Sequence, residues 1–172
     1  MKKLFENWRK YLTEGSSRSL DEFVNLYAPG KIRLFHFSRR SGSRDMDRII
    51  IDPQYFVTSR GAYSRREWET SRYPRSFYYT DPEDIEFTLM GGKKLFSVDV
   101  SAESIYELAK DRAMEGYIKK HAHKTYGLRK DMEWTTMLKD ISDSYDGIYY
   151  TLGPGGPPVI AYFKILEAKA VG

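Results

Sequence analysis

Alternating and continuous apolar runs predict about five strands along the chain. The run Lys94–Val100 alternates strictly, with Leu95, Ser97 and Asp99 on one face. Four further strands are predicted from runs rich in Ile, Phe, Tyr and Val: Lys31–Ser38, Ser76–Thr80, Gly147–Leu152 and Val159–Ile165. The Gly- and Pro-rich residues between the last two runs predict that they form a hairpin. Ile49–Ile51, which precedes Asp52 and Pro53, is either a short strand or a turn packed on the core.

Four segments carry helix signals instead. Residues 2–13 place their large apolar side chains on one helical face and precede a Gly-Ser stop. Ser19 and Glu22 have the spacing of a capping box, which predicts a helix running to about Tyr27. Two more helices are predicted at Ile105–His121 and Met132–Ser142. The sum is an α+β domain over residues 19–172, with a small mixed or split β-sheet flanked by helices, preceded by an amphipathic helix within residues 1–15.

The N-terminal helix either docks on the domain or acts as a detachable tag. Its Lys, Phe, Trp and Arg residues resemble the start of many proteins of large tailed phages. That resemblance implies a phage gene product, located in the host cytoplasm or associated with the phage particle.

Composition narrows the classes of function. The chain has 172 residues and no cysteine, which excludes a disulfide scaffold, thiol catalysis and cysteine-ligated metal centres. No apolar run approaches the roughly 18 residues that would span a membrane, and no signal peptide is visible. We therefore expect one domain that has no membrane partner and is not secreted through a signal peptide.

The formal net charge of +4 is concentrated in one segment. Residues 39–75 hold nine arginines, no lysine and five acids, whereas basic and acidic residues balance in the rest of the chain. The guanidinium group binds phosphate and carboxylate through two parallel hydrogen bonds, so the segment is either an anion site or a solvated loop whose arginines pair with nearby acids.

Individual motifs leave few candidates for chemistry. His36 lies in a strand-like apolar run and is either a core histidine or a ligand-binding one, with Ser38 beside it. His121 and His123 do not share a helix face and have no carboxylate partners in the pattern, so we predict no metal site. Neither a phosphate-binding glycine loop nor a Ser nucleophile elbow is present.

Four segments taken in order resemble the ADP-ribosyltransferase superfamily, in particular its small phage and polyvalent-protein members. They comprise a leading strand with an aromatic-His-x-Ser pattern, an aromatic segment ending in Asp, a strand-to-helix segment and a closing Tyr-Asp-Gly-rich hairpin: Leu34–Ser38, Tyr73–Asp81, Ser97–Asp111 and Tyr145–Leu166. The resemblance spans roughly residues 31–166 and implies that NAD is the substrate.

The resemblance also implies roles for particular residues. His36 would hold the nicotinamide-side ribose, with Ser38 as a neighbouring polar contact. Tyr78 or Tyr79 would stack on nicotinamide, and strand alternation allows only one of them to face the cleft. Three arginines would bind the pyrophosphate: Arg39, Arg40 and Arg72.

The chain departs from the family at its third motif, a glutamate at the start of a late strand. Pro157, Pro158 and Val159 occupy that place, so no carboxylate stabilises the ribosyl cation there. The catalytic residues that we assign from the resemblance are His36, Tyr79 and, as a carboxylate from elsewhere in the chain, Glu133, with Glu69 and Glu86 as alternatives to Glu133.

Three functions follow from these patterns. The first is an enzyme that transfers ADP-ribose from NAD to a protein or nucleic acid. The second is a non-catalytic phage virion or accessory protein with a degenerate transferase fold, which the missing glutamate favours. The third is a nucleic-acid binder that uses the arginine-rich segment with interleaved aromatic residues: Tyr55, Tyr63, Trp68 and Tyr73.

Overall fold

An eight-stranded mixed β-sheet forms the framework of the protein. The computed structural model describes residues 18–38, 45–54, 73–83, 94–110, 138–151 and 158–172. In chain order the strands are β1 (Lys31–Ser38), β2 (Arg48–Ile51), β3 (Ser76–Tyr79), β4 (Lys94–Ser101), β5 (Ile105–Glu107), β6 (Gly147–Thr151), β7 (Pro158–Tyr162) and β8 (Leu166–Ala170). Their order across the sheet is β2-β8-β4-β1-β3-β7-β6-β5.

Neighbouring strands are antiparallel except at one edge, where β5 runs parallel to β6. The α+β class and the mixed sheet are therefore confirmed. The sheet is a single one rather than two separate sheets, and its two halves meet where Phe35 of β1 pairs with Tyr79 of β3.

Both faces of the sheet carry apolar clusters. The face that bears His36 and Tyr78, called here the His36 face, holds the larger one, because every second residue of β1, β3, β4 and β7 points into it. Its buried residues are Leu20, Phe23, Ile32, Leu34, Ile51, Tyr78, Phe96, Val100, Ile105, Tyr149, Ile160, Tyr162 and Ala168. The opposite face, called the Tyr79 face, holds a second cluster of Leu108, Leu138, Ile141, Ile148 and Ala161.

The five strands and the hairpin predicted from the sequence are present. β1 has the predicted bounds, β4 extends one residue further, and β6 pairs with β7 as an antiparallel hairpin. The run Ile49–Ile51 belongs to strand β2. Two strands, β5 and β8, were not predicted.

The helix predicted after Ser19 is wrong beyond its first turn. The capping box is present, with Ser19 accepting from the Asp21 amide and Glu22 accepting from the Ser19 amide, but only a 3-10 turn follows, Leu20–Glu22. Val24 forms a β-bridge with Ile32, and Asn25 adopts a left-handed φ of 66°. Both features are incompatible with a continuing α-helix.

The helix predicted at Ile105–His121 is also wrong at its start. Ile105, Tyr106 and Glu107 pair in parallel with β6, and a 3-10 turn, Leu108–Lys110, follows. The remainder of that prediction, residues 111–121, lies outside the described residues. Of the helix predicted at Met132–Ser142, residues 138–142 are described and are helical. The amphipathic helix at residues 1–15 lies outside the described residues as well.

Candidate functional site

The centre of the sheet brings together two of the residues that the sequence singled out. β1 and β3 are neighbours, and the pairing of Phe35 with Tyr79 sets His36 opposite Tyr78 on the same face. The two rings lie 5.4 Å apart between centroids, at an interplanar angle of 55°. Strands that are distant in sequence therefore place the His36–Tyr78 pair in contact.

A backbone hydrogen bond orients the imidazole of His36. Its Nδ1 lies 3.0 Å from the carbonyl oxygen of Phe77. A carbonyl can only accept, so Nδ1 carries a proton; when the ring is neutral, Nε2 is the acceptor nitrogen. The side chain is half-buried.

Tyr78 is completely buried, and its hydroxyl has no hydrogen-bond partner in the part of the chain that the structure describes. Its ring packs edge-on against Tyr162, with centroids 6.2 Å apart. Burial, followed by the neighbouring Tyr162, raises the pKa of Tyr78 well above its ordinary value. The phenol is therefore neutral at physiological pH, and its ring contacts the imidazole of His36.

Other buried hydroxyl groups flank this pair. Ser38 follows His36 by two residues on β1, and Ser76 precedes Tyr78 by two residues on β3, so both belong to the His36 face. They are 6% and 8% exposed. Thr80, two residues beyond Tyr78, is also buried, and its hydroxyl has no hydrogen-bond partner.

Tyr79 lies on the other side of the sheet. It pairs with Phe35 and Val159, and strand alternation places it on the Tyr79 face. Of the two tyrosines that the sequence left open, Tyr78 is therefore the one that shares a face with His36.

An ion pair closes one end of this region. Arg18 donates from Nη1 to Asp81 Oδ2 at 2.6 Å, and its guanidinium lies 5.1 Å from the centre of the Phe23 ring. The hydroxyl of Tyr149 donates to the carbonyl oxygen of Arg18 at 2.5 Å. The segment around Arg18 is thereby attached to the His36 face.

The segment that the resemblance aligned with the third-motif glutamate, Pro157–Val159, is described from Pro158 onward. β7 begins at Pro158, and Ile160 pairs with Tyr78, so Pro158 is the first β7 residue on the His36 face. Proline carries neither a charge nor a backbone N–H, and Val159 points to the opposite face. Among the described residues, the start of β7 brings no carboxylate to the His36–Tyr78 pair.

Several sequence-predicted site residues lie outside the described residues: Arg39, Arg40, Arg72 and Glu133. Two arginines of the Arg-rich segment are described. Arg48 pairs with Glu167 at 2.9 Å, and Arg75 donates to the Tyr73 carbonyl at 3.0 Å while its guanidinium lies 5.4 Å from the Phe77 ring centre. The guanidinium groups of Arg48 and Arg75 therefore both contact other residues of this chain.

A cleft of about 800 Å³ lies at the other end of the sheet, beside β5. Three carboxylates, from Asp21, Glu103 and Glu107, line it together with Lys110 and the Tyr106 ring. Lys110 pairs with Asp21 and with Glu107, each at 2.9 Å, and the hydrogen bond that Lys110 donates to Asp21 raises the pKa of Lys110. A lining rich in carboxylates is a poor match for a pyrophosphate, so the cleft does not support the anion site that the arginines suggested.

The described residues contain no group of three or more His, Cys, Asp or Glu side chains arranged to hold a metal ion. No helix in this part of the chain is long and apolar enough to cross a membrane.

Comparison of the chain with family models, curated proteins and solved structures gives no match.

Sequence reasoning missed the buried hydroxyls of Ser76 and Thr80. Their signal was available, because Ser76, Tyr78 and Thr80 alternate along one strand and so predict a polar stripe on one face. The contact of Arg18 with Asp81 had no comparable signal, because 63 positions separate the two residues in the chain.

Proposed function

We propose that the protein binds NAD over the His36–Tyr78 pair and transfers its ADP-ribose to a protein or nucleic-acid acceptor. The observation that carries the proposal is the contact between His36 and Tyr78 on one face at the centre of the sheet. These are the residues that correspond to the histidine and tyrosine motifs of the ADP-ribosyltransferase superfamily, which the sequence resembles.

The residues present fit the nicotinamide-ribose end of NAD. A ribose carries adjacent hydroxyls, each of which can donate and accept a hydrogen bond. Nε2 of the half-buried His36 is suited, in the neutral ring, to accept from one of them, and the buried ring of Tyr78 packs against the imidazole and helps to fix its position. Ser38 and Ser76 extend the polar stripe along the same face.

Transfer requires that the bond between ribose C1′ and the nicotinamide nitrogen breaks, with the electron pair leaving on nicotinamide. The acceptor atom then bonds to C1′ and loses its proton. A carboxylate near C1′ would stabilise the positive charge that develops, by several kcal/mol. Glu133 is the residue to which we assign this role, and Arg39, Arg40 and Arg72 are assigned to the pyrophosphate.

Calorimetric titration with NAD tests the binding step. We expect His36→Ala to weaken binding at least tenfold, because it removes the ribose acceptor. The matched control is His123→Ala, a second histidine replacement, which should bind as the wild type does. Bound NAD should also raise the unfolding free energy by about 2.7 kcal/mol at a hundredfold excess over Kd. Absence of wild-type binding at millimolar NAD, or equal affinity in His36→Ala, would contradict the proposal.

Labelled NAD tests the transfer step separately. The wild type should release nicotinamide and label an acceptor, and His36→Ala should abolish both. Glu133→Gln should retain NAD binding and lose labelling if Glu133 supplies the carboxylate.

A second candidate, NAD binding without transfer, is favoured by Pro158 at the β7 position where the family has glutamate. It predicts full NAD affinity with no nicotinamide release from any variant. In that case the protein is an accessory or particle-associated phage protein, and its presence in purified particles is the corresponding test.

A further inference from the structure

Strand β2 forms one edge of the sheet and pairs only with β8 among the described strands. The amide of Ala170 donates to the carbonyl of Asp47 at 2.7 Å, so the backbone groups of Asp47 point toward β8. Backbone direction alternates along an antiparallel strand. The N–H and C=O groups of Arg48, Ile50 and Asp52 therefore point away from the sheet.

The side chain at the middle of this edge is apolar and exposed. Ile50 is 65% exposed, the largest exposed fraction among the large hydrophobic residues that the structure describes. Edge strands are commonly protected by lysine, proline or a bulge, because a bare edge pairs readily with another strand. β2 consists of Arg48 followed by three isoleucines, and proline enters only after the strand, at Pro53.

We infer that β2 pairs edge to edge with β2 of a second copy of this chain, antiparallel and with a two-fold axis at Ile50. In this register Ile50 lies opposite Ile50 of the second copy, and Ile49 lies opposite Ile51. Arg48 lies opposite Asp52 at both ends of the paired segment. The sequence Arg-Ile-Ile-Ile-Asp is thus complementary to itself when reversed.

The charges select this register over its neighbours. A two-fold axis at Arg48 or at Asp52 would set like charges directly opposite each other, which destabilises a strand pair. An axis at Ile49 would set Arg48 opposite Ile50 and leave Asp52 without a basic partner. The carboxylate of Asp52 accepts one hydrogen bond, from the Gln54 amide at 2.8 Å, and has no ion pair among the described residues. It is therefore able to receive Arg48 of the second copy, which would exchange its solvent-exposed ion pair with Glu167 for this contact.

The same self-complementarity identifies the occupant of the edge as a second copy rather than an unrelated strand. The outward-pointing backbone groups would be satisfied by exchange between the two Ile50 residues and between Arg48 and Asp52. The pairing is limited to about five residues on each chain, because the amide of Gln54, the next residue whose backbone would point outward, donates to the Asp52 carboxylate instead. We therefore expect a dimer whose population depends strongly on protein concentration.

Sedimentation equilibrium over a range of protein concentrations tests the inference. The wild type should show a monomer–dimer equilibrium. Arg48→Asp and Asp52→Arg should each weaken dimerisation at least tenfold, because each sets like charges opposite each other. An equimolar mixture of the two variants should dimerise again, since both acidic side chains of the first variant then face the arginines of the second.

Ile50→Lys should abolish the dimer, whereas Leu26→Lys is the matched control and should leave its Kd unchanged, because Leu26 is comparably exposed at 59% but lies outside β2. Circular dichroism should show that every variant keeps the wild-type fold. Monomers at every concentration, a dimer insensitive to both charge reversals, or a mixture that fails to dimerise would each overturn the inference.

Discussion

At the scale of single residues, Tyr78 carries a cost to folding beside the proposed site. A buried hydroxyl without a partner loses its hydrogen bonds to water and gains none in return, at a cost of about 1–3 kcal/mol. Thr80, which directly follows β3, carries the same cost. The two differ in position, because only Tyr78 contacts the ring of His36.

The two buried hydroxyls give a paired prediction. Tyr78→Phe and Thr80→Val should each raise the unfolding free energy by up to about 1 kcal/mol, because each removes an unsatisfied hydroxyl. Neither replacement should weaken NAD binding, because both hydroxyls are buried and Tyr78→Phe keeps the ring that contacts His36. Urea unfolding and calorimetry on the two variants measure the effects. A marked loss of stability in Tyr78→Phe would show that its hydroxyl is satisfied after all.

Arg33 and Asp99 form the second instructive contact at this scale. They face each other across β1 and β4 and make two hydrogen bonds, of 2.7 and 2.8 Å. The hydrogen bond from Arg33 lowers the pKa of Asp99. The stabilisation is therefore complete above the unfolded-state pKa, about 3.9 for Asp, and is lost as pH falls through the lower folded-state value.

A double-mutant cycle should measure this pair. With Arg33→Met and Asp99→Asn, the coupling energy at pH 7 should be about 0.5–1 kcal/mol, as for other partly exposed pairs. It should fall toward zero when the unfolding experiments are repeated at a pH below the folded-state pKa of Asp99. Coupling that stays constant with pH would contradict the assigned cause.

At the scale of elements, the sequence predicted strands wherever β-branched or aromatic residues filled a run. β1, β3, β4, β6 and β7 have such runs. β8 has the residues Leu-Glu-Ala-Lys-Ala, most of which favour helices, and it is a strand because it pairs with both β2 and β4. β5 has three residues and depends in the same way on β6.

The candidate site, too, could be predicted from local sequence patterns only in part. Alternation within β1 and within β3 defines which residues share a face of each strand, but not which strands become neighbours. The contact of His36 with Tyr78 depends on the pairing of Phe35 with Tyr79, a tertiary choice that local patterns do not encode. The sequence therefore predicted the two strands that carry these residues, but its catalytic candidate Tyr79 lies on the opposite face of the sheet from His36.

Gly147 gives a prediction at the level of the β6–β7 hairpin. A Cβ at this position would lie 2.9 Å from Cδ2 of Tyr162 and 3.0 Å from the carbonyl oxygen of Ala161. One of these neighbours is backbone and cannot move aside cheaply, so Gly147→Ala should destabilise the protein by about 1–3 kcal/mol. Thermal unfolding measures the loss. Gly172→Ala is the matched control and should be neutral, since no atom lies within 4 Å of its Cβ.

At the scale of the whole molecule, the two proposals concern separate parts of the sheet. The His36 face carries the larger apolar cluster, and the polar stripe of β3 runs through its middle. The carboxylate-lined cleft and the edge strand β2 lie at opposite ends of the sheet. Proposed NAD binding and proposed self-association therefore use separate parts of the molecule and can be tested independently.

The order of the strands also bears on how fast the chain folds. Only β6 and β7 are both neighbours in the sheet and joined by a short connection; every other pairing brings together strands that are far apart in the chain. Each such pairing must first close a long loop, so contact order is high and folding on the millisecond-to-second scale is expected. The β6–β7 hairpin is the unit that forms without this entropic cost. Strand β8 is paired on both of its sides only once β2 and β4 have both been brought to it.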